Sequence, residues 1–79
     1  MEDIEIRLFA TLREGRFDKK KIKLGSSRKV EDFLRHFDIK PEEVAIIFIN
    51  RKHARLDTEI KPGDVVSFFP KIGGGYVIT

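Results

Sequence analysis

Cysteine is absent from the 79 residues, which removes disulfides, thiolate metal sites and thiol nucleophiles together. That absence fits a reducing compartment. Histidine occurs only twice, at His36 and His53, and no second ligand lies at metal spacing from either. A metal site needs three or four converging ligands, so no metal is expected. His36 reads as a helix-end residue facing the dipole, and His53 as a surface residue of a short strand. No apolar run reaches the length of a membrane span or a signal segment, and the opening Met1-Glu2-Asp3 is acidic. A cytoplasmic protein without a membrane partner is expected. Ser26, Ser27 and Ser67 lack a histidine or carboxylate pattern that would activate a hydroxyl. Asp57, Glu59 and Asp64 fall in turn regions and read as solvated. With no catalytic constellation, the chain is expected not to act as an enzyme by itself.

Charge of one sign is also scarce. The net charge is +3, too little to argue for nucleic acid, and no nucleic-acid partner is expected. The one dense basic run, Lys19-Lys20-Lys21 with Lys23, reads as the solvated side of a strand; a phosphate-binding patch is the alternative. Hydrophobic residues at 41% and charged residues at 37% describe a globular chain with a well-solvated surface. Its length allows one domain with a modest core.

Ile4, Ile6 and Leu8 alternate with Glu5, Arg7 and Phe9, so residues 4–11 read as a half-buried strand. A charged connection containing Gly15 leads to a second alternating stretch at 19–24, and the two make a hairpin. A serine of Gly25-Ser26-Ser27 is a candidate helix cap. Val30, Phe33, Leu34 and Phe37 then follow the spacing of one helical face, with Glu31 and Asp32 in the first turns. This predicts one helix from about 28 to 36 or 37. Val44 to Ile49 is a six-residue apolar run, hence a strand buried on one face and partly covered on the other. Asn50-Arg51 is a turn, residues 52–56 suit a short strand, and Lys61-Pro62-Gly63-Asp64 is a tight turn. Val65 to Phe69 is the last strand.

One helix covers only one face of such a sheet. With Ile4, Ile6, Leu8, Ile47, Ile49, Val66 and Phe68 turned toward it, the period of two sends Phe9, Ile46, Phe48 and Phe69 to the other side. So much apolar surface in one place on a small monomer reads as a partner-docking patch. A different register in one strand, or a tail folded back over the patch, would remove it.

The strand run stops at Pro70, and Gly73-Gly74-Gly75 follow. Three consecutive glycines do not support helix or strand, and without side chains they can thread a slot that admits only backbone. Extended, they reach about 3.3 Å per residue. They are not a phosphate loop, since neither a following helix nor a Lys-Ser/Thr pair is present. The chain therefore divides into a domain at 1–70 and a flexible tail at 71–79.

Together these segments resemble the ubiquitin-like β-grasp sulfur carriers, typified by the small subunit of molybdopterin synthase (MoaD) and the thiamine-thiazole sulfur carrier (ThiS). The residues that carry the resemblance are Ile4 to Arg13, Val30-Glu31-Asp32-Phe33-Leu34, Ile47-Phe48-Ile49-Asn50 with Leu56 to Val66, and Phe69-Pro70-Lys71-Ile72-Gly73-Gly74-Gly75. The resemblance implies an α+β fold, a mixed sheet of four to five strands with one helix packed on one face. It implies that a partner enzyme of the ubiquitin-activating type, using ATP and magnesium, adenylates the terminal glycine carboxylate, here Gly75. Sulfur then converts it to a thiocarboxylate for cofactor biosynthesis, of the molybdopterin type in the first instance. The chain itself would bind no cofactor. A synthase large subunit would accept the sulfur, while Gly73, Gly74 and Gly75 thread the partner active sites. Tyr76-Val77-Ile78-Thr79 depart from the family pattern, because they tie the Gly75 carboxylate into a peptide bond. Either a peptidase removes them, or the chain is a non-covalent β-grasp binding module with an intact tail. A third alternative is a ubiquitin-like modifier conjugated through the same glycine. Alone, the chain is expected to be a monomer.

Overall fold

The computed structural model describes residues 3–25 and 28–71. Within them are five strands and one α-helix: β1 (Asp3–Leu8), β2 (Lys19–Lys23), α1 (Val30–His36), β3 (Val44–Ile49), β4 (Lys52–His53) and β5 (Val65–Pro70). Single 3-10 turns at Ala10–Arg13 and Pro41–Glu43 precede β2 and β3. The strands form one mixed sheet in the order β2-β1-β5-β3-β4. β1 pairs antiparallel with β2 and parallel with β5; β3 pairs antiparallel with β5 and β4. This is the ubiquitin-like β-grasp architecture, an α+β fold with the helix on one face.

The alternation read from β1 sets the layering. Ile4, Ile6 and Leu8 are buried, as are Val66, Phe68 and Ile47 opposite them. Val30, Phe33 and Leu34 of α1 close the core from above, joined by Leu12, Leu24, Ile39 and Ile60 from the connections. Burial of this apolar surface is the main favourable term in folding. Phe37, the last residue of the expected helical stripe, is only half-buried and meets Phe17 edge-on at 5.1 Å.

Several boundaries differ from the sequence reading. β1 stops at Leu8 rather than Thr11, because Ala10 turns to a positive φ and the chain folds into the 3-10 turn that buries Leu12. The helix begins at Val30 rather than near residue 28. Ser26 and Ser27, the expected caps, lie outside the described residues, and Lys29 holds the cap position. The first helical N–H groups find partners in the long connection instead: Val30 donates to the Thr58 carbonyl at 3.1 Å and Glu31 to that of Leu56 at 2.9 Å. Those carbonyls satisfy donors that the start of any helix leaves open. Asp32 adds a bond, accepting from the Lys29 N–H at 3.2 Å. Residues 54–56 do not extend β4, which is two residues long.

Pro70 lies inside β5, one residue beyond the expected end. A proline has no N–H for the ladder and suits a strand end or a bulge. Here the register of β3 shifts between Val44 and Ile46, so Ala45 is an extra residue opposite Phe69 and Pro70. The ladder resumes with Lys71, whose N–H donates to the Glu43 carbonyl at 3.0 Å. The expected tail, Gly73, Gly74 and Gly75 included, lies outside the described residues except for Lys71.

Candidate functional site on the outer face of the sheet

The parity of the strands decides which side chains meet on the face away from α1. From β1 come Glu5 and Arg7; from β5, Val65, Ser67 and Phe69; from β3, Ile46 and Phe48. Register then places them in rows. Arg7 stands beside Ser67, Ser67 beside Phe48, and Phe48 beside His53 of β4. One step toward the end where the chain leaves the sheet, Phe69 stands beside Ile46. Phe9 belongs to no strand, yet it is held there because its N–H donates to the Phe68 carbonyl at 3.2 Å. All four residues expected in the patch, Phe9, Ile46, Phe48 and Phe69, are thus brought together by the sheet.

They are half-buried rather than open to water, because the rings cover one another. Phe9 stacks on Phe69 with centroids 4.3 Å apart and planes within 10°. Phe48 meets Phe69 edge-on at 5.7 Å and lies 4.7 Å from the His53 ring. Stacked and edge-to-face pairs of this kind contribute about 0.5–1.5 kcal/mol beyond their buried area. The result is a firm apolar floor held by three strands.

A groove of about 570 Å³ runs along this floor. Phe48, Phe69 and Val65 give its apolar lining, and Arg7, Ser67, Asn50 and Arg51 its polar one. Arg7 and Ser67 were legible as lining residues, since they alternate with residues already placed on this face. Arg51 was not, because its position depends on the turn geometry. Asn50 and Arg51 both have positive φ, 52° and 73°, and connect the paired residues Ile49 and Lys52. That is the hairpin turn in which glycine is favoured at the second central position. An arginine in this conformation costs about 1–2 kcal/mol. Asn50 is fixed more tightly: its side chain donates to Asp64 Oδ1 at 2.7 Å and accepts from the Val65 N–H at 2.9 Å.

Electrostatically the face is cationic. Lys19, Lys21 and Lys23 of β2 lie opposite Arg7, Glu5 and Asp3 in the register. Glu5 forms an ion pair with Arg7. The hydrogen bond from Arg7, together with the charges of Arg7, Lys19 and Lys21, holds the Glu5 carboxyl below the usual glutamate range despite the opposing effect of burial. A smaller hollow of about 210 Å³ lies beyond Arg7, lined by Phe9, Arg13, Asp18 and Lys19 among others. The lysine run reads in the structure as a solvated strand; Lys20 turns to the other side and sits 5.6 Å over the Phe17 ring.

Among the described residues, no cluster of histidine and carboxylate side chains could hold a metal, and no helix is long and apolar enough to cross a membrane. His36 and His53 make ring contacts to Phe37 and Phe48 respectively. Gly73, Gly74 and Gly75, named from sequence as the working tail, lie outside the described residues. The structure does place the point from which they depart. Lys71 follows Phe69 by two residues, at the end of the sheet that carries Phe9, Ile46 and Phe69.

No curated protein matches the sequence at a significant level. Among solved structures, the chain is similar to a Pyrococcus furiosus protein provisionally described as molybdopterin converting factor, subunit 1. The identity is 26%, with 91% of this chain and all of that one covered, and the TM-score is 0.69. The solution structure of the Haloferax volcanii protein HVO 2177 is 27% identical over 92% of this chain and 86% of its own, with a TM-score of 0.71. The crystal structure of small archaeal modifier protein 1 from H. volcanii is 20% identical over 91% of this chain and all of its own. Its TM-score of 0.71 shows a shared fold. The profile of the ThiS family matches residues 6–75, from the middle of β1 through Gly75, and the chain belongs to that family.

Proposed function

We propose that the protein is a sulfur carrier whose working group is the α-carboxylate of Gly75, freed by hydrolytic removal of Tyr76-Val77-Ile78-Thr79. The observation that carries this reading is the ThiS family match, whose last matched residue is Gly75. The apolar patch at the end of the sheet where the chain continues toward those glycines supports it.

The chemistry follows from the weakness of a carboxylate as an electrophile. A ubiquitin-activating-type enzyme uses magnesium-bound ATP to convert the Gly75 carboxylate to an acyl-adenylate, releasing pyrophosphate. Hydrosulfide attack on the acyl carbon then breaks the bond to the AMP oxygen and leaves a thiocarboxylate. The carrier contributes no catalytic side chain. It contributes a rigid domain that docks through Phe9, Ile46, Phe48 and Phe69, and a side-chain-free segment, Gly73 to Gly75, that enters the enzyme. A molybdopterin-type synthase large subunit takes up the sulfur in this reading. The protein described as a molybdopterin converting factor subunit, at 26% identity, favours that destination.

Two mass measurements test it. Protein isolated from its source is expected to end at Gly75, in part with one oxygen replaced by sulfur. The chain ending at Gly75, incubated with the source organism's adenylating enzyme, magnesium and ATP, is expected to gain an adenylate, and with sulfide the thiocarboxylate. A native mass that retains Thr79, or failure to form either species, would overturn the proposal. Gly74-Gly75 remnants joined to lysines of other proteins would identify a protein modifier instead.

A further inference from the structure

Taking the carrier reading as its starting point, we infer that Arg7 and Arg51 form a cationic rim to the aromatic groove. The surface they select on the activating partner is an apolar projection flanked by carboxylates. Three observations point there. The first is the charge of the face: Arg7, Arg51 and three β2 lysines stand on it against Glu5 and Asp3, and Glu5 is already committed to Arg7. The second is the shape. Phe48, Phe69 and Val65 line the groove floor, Arg7 borders one flank, and Asn50 with Arg51 closes the end opposite the chain exit. The third is Arg51 itself, which holds a left-handed backbone that glycine adopts freely, at φ 73°. Backbone strain kept at a groove-lining residue is a pointer to function.

The ring geometry favours a protein surface over single-stranded nucleic acid. Bases bind a sheet by stacking on free aromatic faces. Phe9 and Phe69 stack on each other, and Phe48 turns its ring nearly perpendicular to that of Phe69. The rings form a closed floor, suited to aliphatic or aromatic side chains arriving from above. The Arg51 guanidinium, and the terminal N–H groups of Arg7 that its Nε bond to Glu5 leaves over, suit carboxylates at two borders of that floor. Complementary charge of this kind steers encounter and rejects wrong partners more than it adds affinity. Arg7 and Arg51 would therefore discriminate between activating enzymes, while the phenylalanines supply the contact area.

The test measures binding of the source organism's adenylating enzyme between low and high salt, to whichever form of the chain, full-length or ending at Gly75, binds the tighter. Arg51→Gly removes the cation and relieves the strained backbone. It is expected to raise the thermal midpoint yet weaken binding about tenfold, with a shallower salt dependence. Arg51→Glu is expected to weaken binding further, and a lysine replacing a facing carboxylate of the enzyme should restore it. Arg35→Glu, on the helix side, controls for net charge and is expected to bind as the unaltered chain does. Binding indifferent to salt and to Arg51→Gly would overturn the inference, as would no binding or displacement of the enzyme by a poly-uridine oligonucleotide. Gly75 adenylation is read separately by mass. An enzyme that adenylates the Arg51→Gly chain with unaltered KM would refute the rim and leave the carrier reading standing. Salt-dependent, Arg51-sensitive binding without adenylation would do the reverse.

Discussion

Two side chains show how single residues set the behaviour of this small domain. Arg16 sits in the connection between β1 and β2, and its guanidinium donates to three carbonyls: Leu12 at 3.1 Å, Phe37 at 3.3 Å and Asp38 at 3.0 Å. Two of those carbonyls follow α1, where the helix leaves acceptors open and the dipole favours a cation. Arg16→Met keeps much of the aliphatic stem but abandons all three acceptors. The expected cost is about 1–3 kcal/mol, seen as a lowered denaturant midpoint with unchanged slope. Glu5 acts through its charge. Its carboxyl titrates below the ordinary range because Arg7 and the neighbouring lysines favour the ionised form. The folded state therefore binds fewer protons than the unfolded chain over the interval between the two pKa values, and stability rises with pH there. Glu5 contributes fully above the ordinary glutamate pKa, and that contribution disappears as pH falls through the depressed folded value. Denaturation of Glu5→Gln and the unaltered protein across acidic pH should show a stability difference that is largest near neutrality and vanishes in acid.

At the scale of elements, the turn at residues 61–64 ties three strands together. Asp64 Oδ2 accepts from the Lys61 N–H at 2.8 Å, its carbonyl accepts from Glu5 at 3.0 Å, and its other carboxylate oxygen receives the Asn50 amide. Gly63 supplies the positive φ of 87° and donates to the Asp3 carbonyl at 2.8 Å. Asn50→Ala removes the side-chain link between the β3–β4 turn and the start of β5. It is expected to cost about 1–2 kcal/mol and to increase amide exchange at Val65 before the strand centres. Turn 61–64 was legible because proline, glycine and aspartate each act locally. The strand faces were legible too, since alternation fixes parity and placed Phe9, Ile46, Phe48 and Phe69 on one side. The Asn50-Arg51 turn gave less away: without a glycine, its type is visible only in the backbone angles. The start of α1 was misplaced by two residues because its N–H partners, Leu56 and Thr58, lie more than twenty positions downstream. No local cue announces a bond of that span. The same holds for Leu12, read as part of a connection and found in the core.

For the molecule as a whole, the sheet has two faces in different surroundings, and adjacent residues of β5 report on each. Phe68 is completely buried beneath α1, while Phe69 stacks on Phe9 on the outer side. A domain of this length has on the order of 4–12 kcal/mol of stability in total. Truncating a buried phenylalanine costs about 3–5 kcal/mol in transfer and cavity terms. Phe68→Ala is therefore expected to lose most of its cooperative unfolding transition and, with it, every function of the domain. Phe69→Ala gives up the stacked contact with Phe9, the edge-on contact with Phe48 and part of a half-buried side chain, about 2–4 kcal/mol, and should unfold cooperatively at a lower midpoint. If the outer face is where the activating enzyme docks, this folded variant should nonetheless bind that enzyme far more weakly. Its Gly75 should be adenylated only at raised enzyme concentration, because the glycines remain intact while the surface that delivers them is gone. Undiminished binding by a folded Phe69→Ala chain would mean that delivery depends on the glycine segment alone, and the outer face would have no part in it.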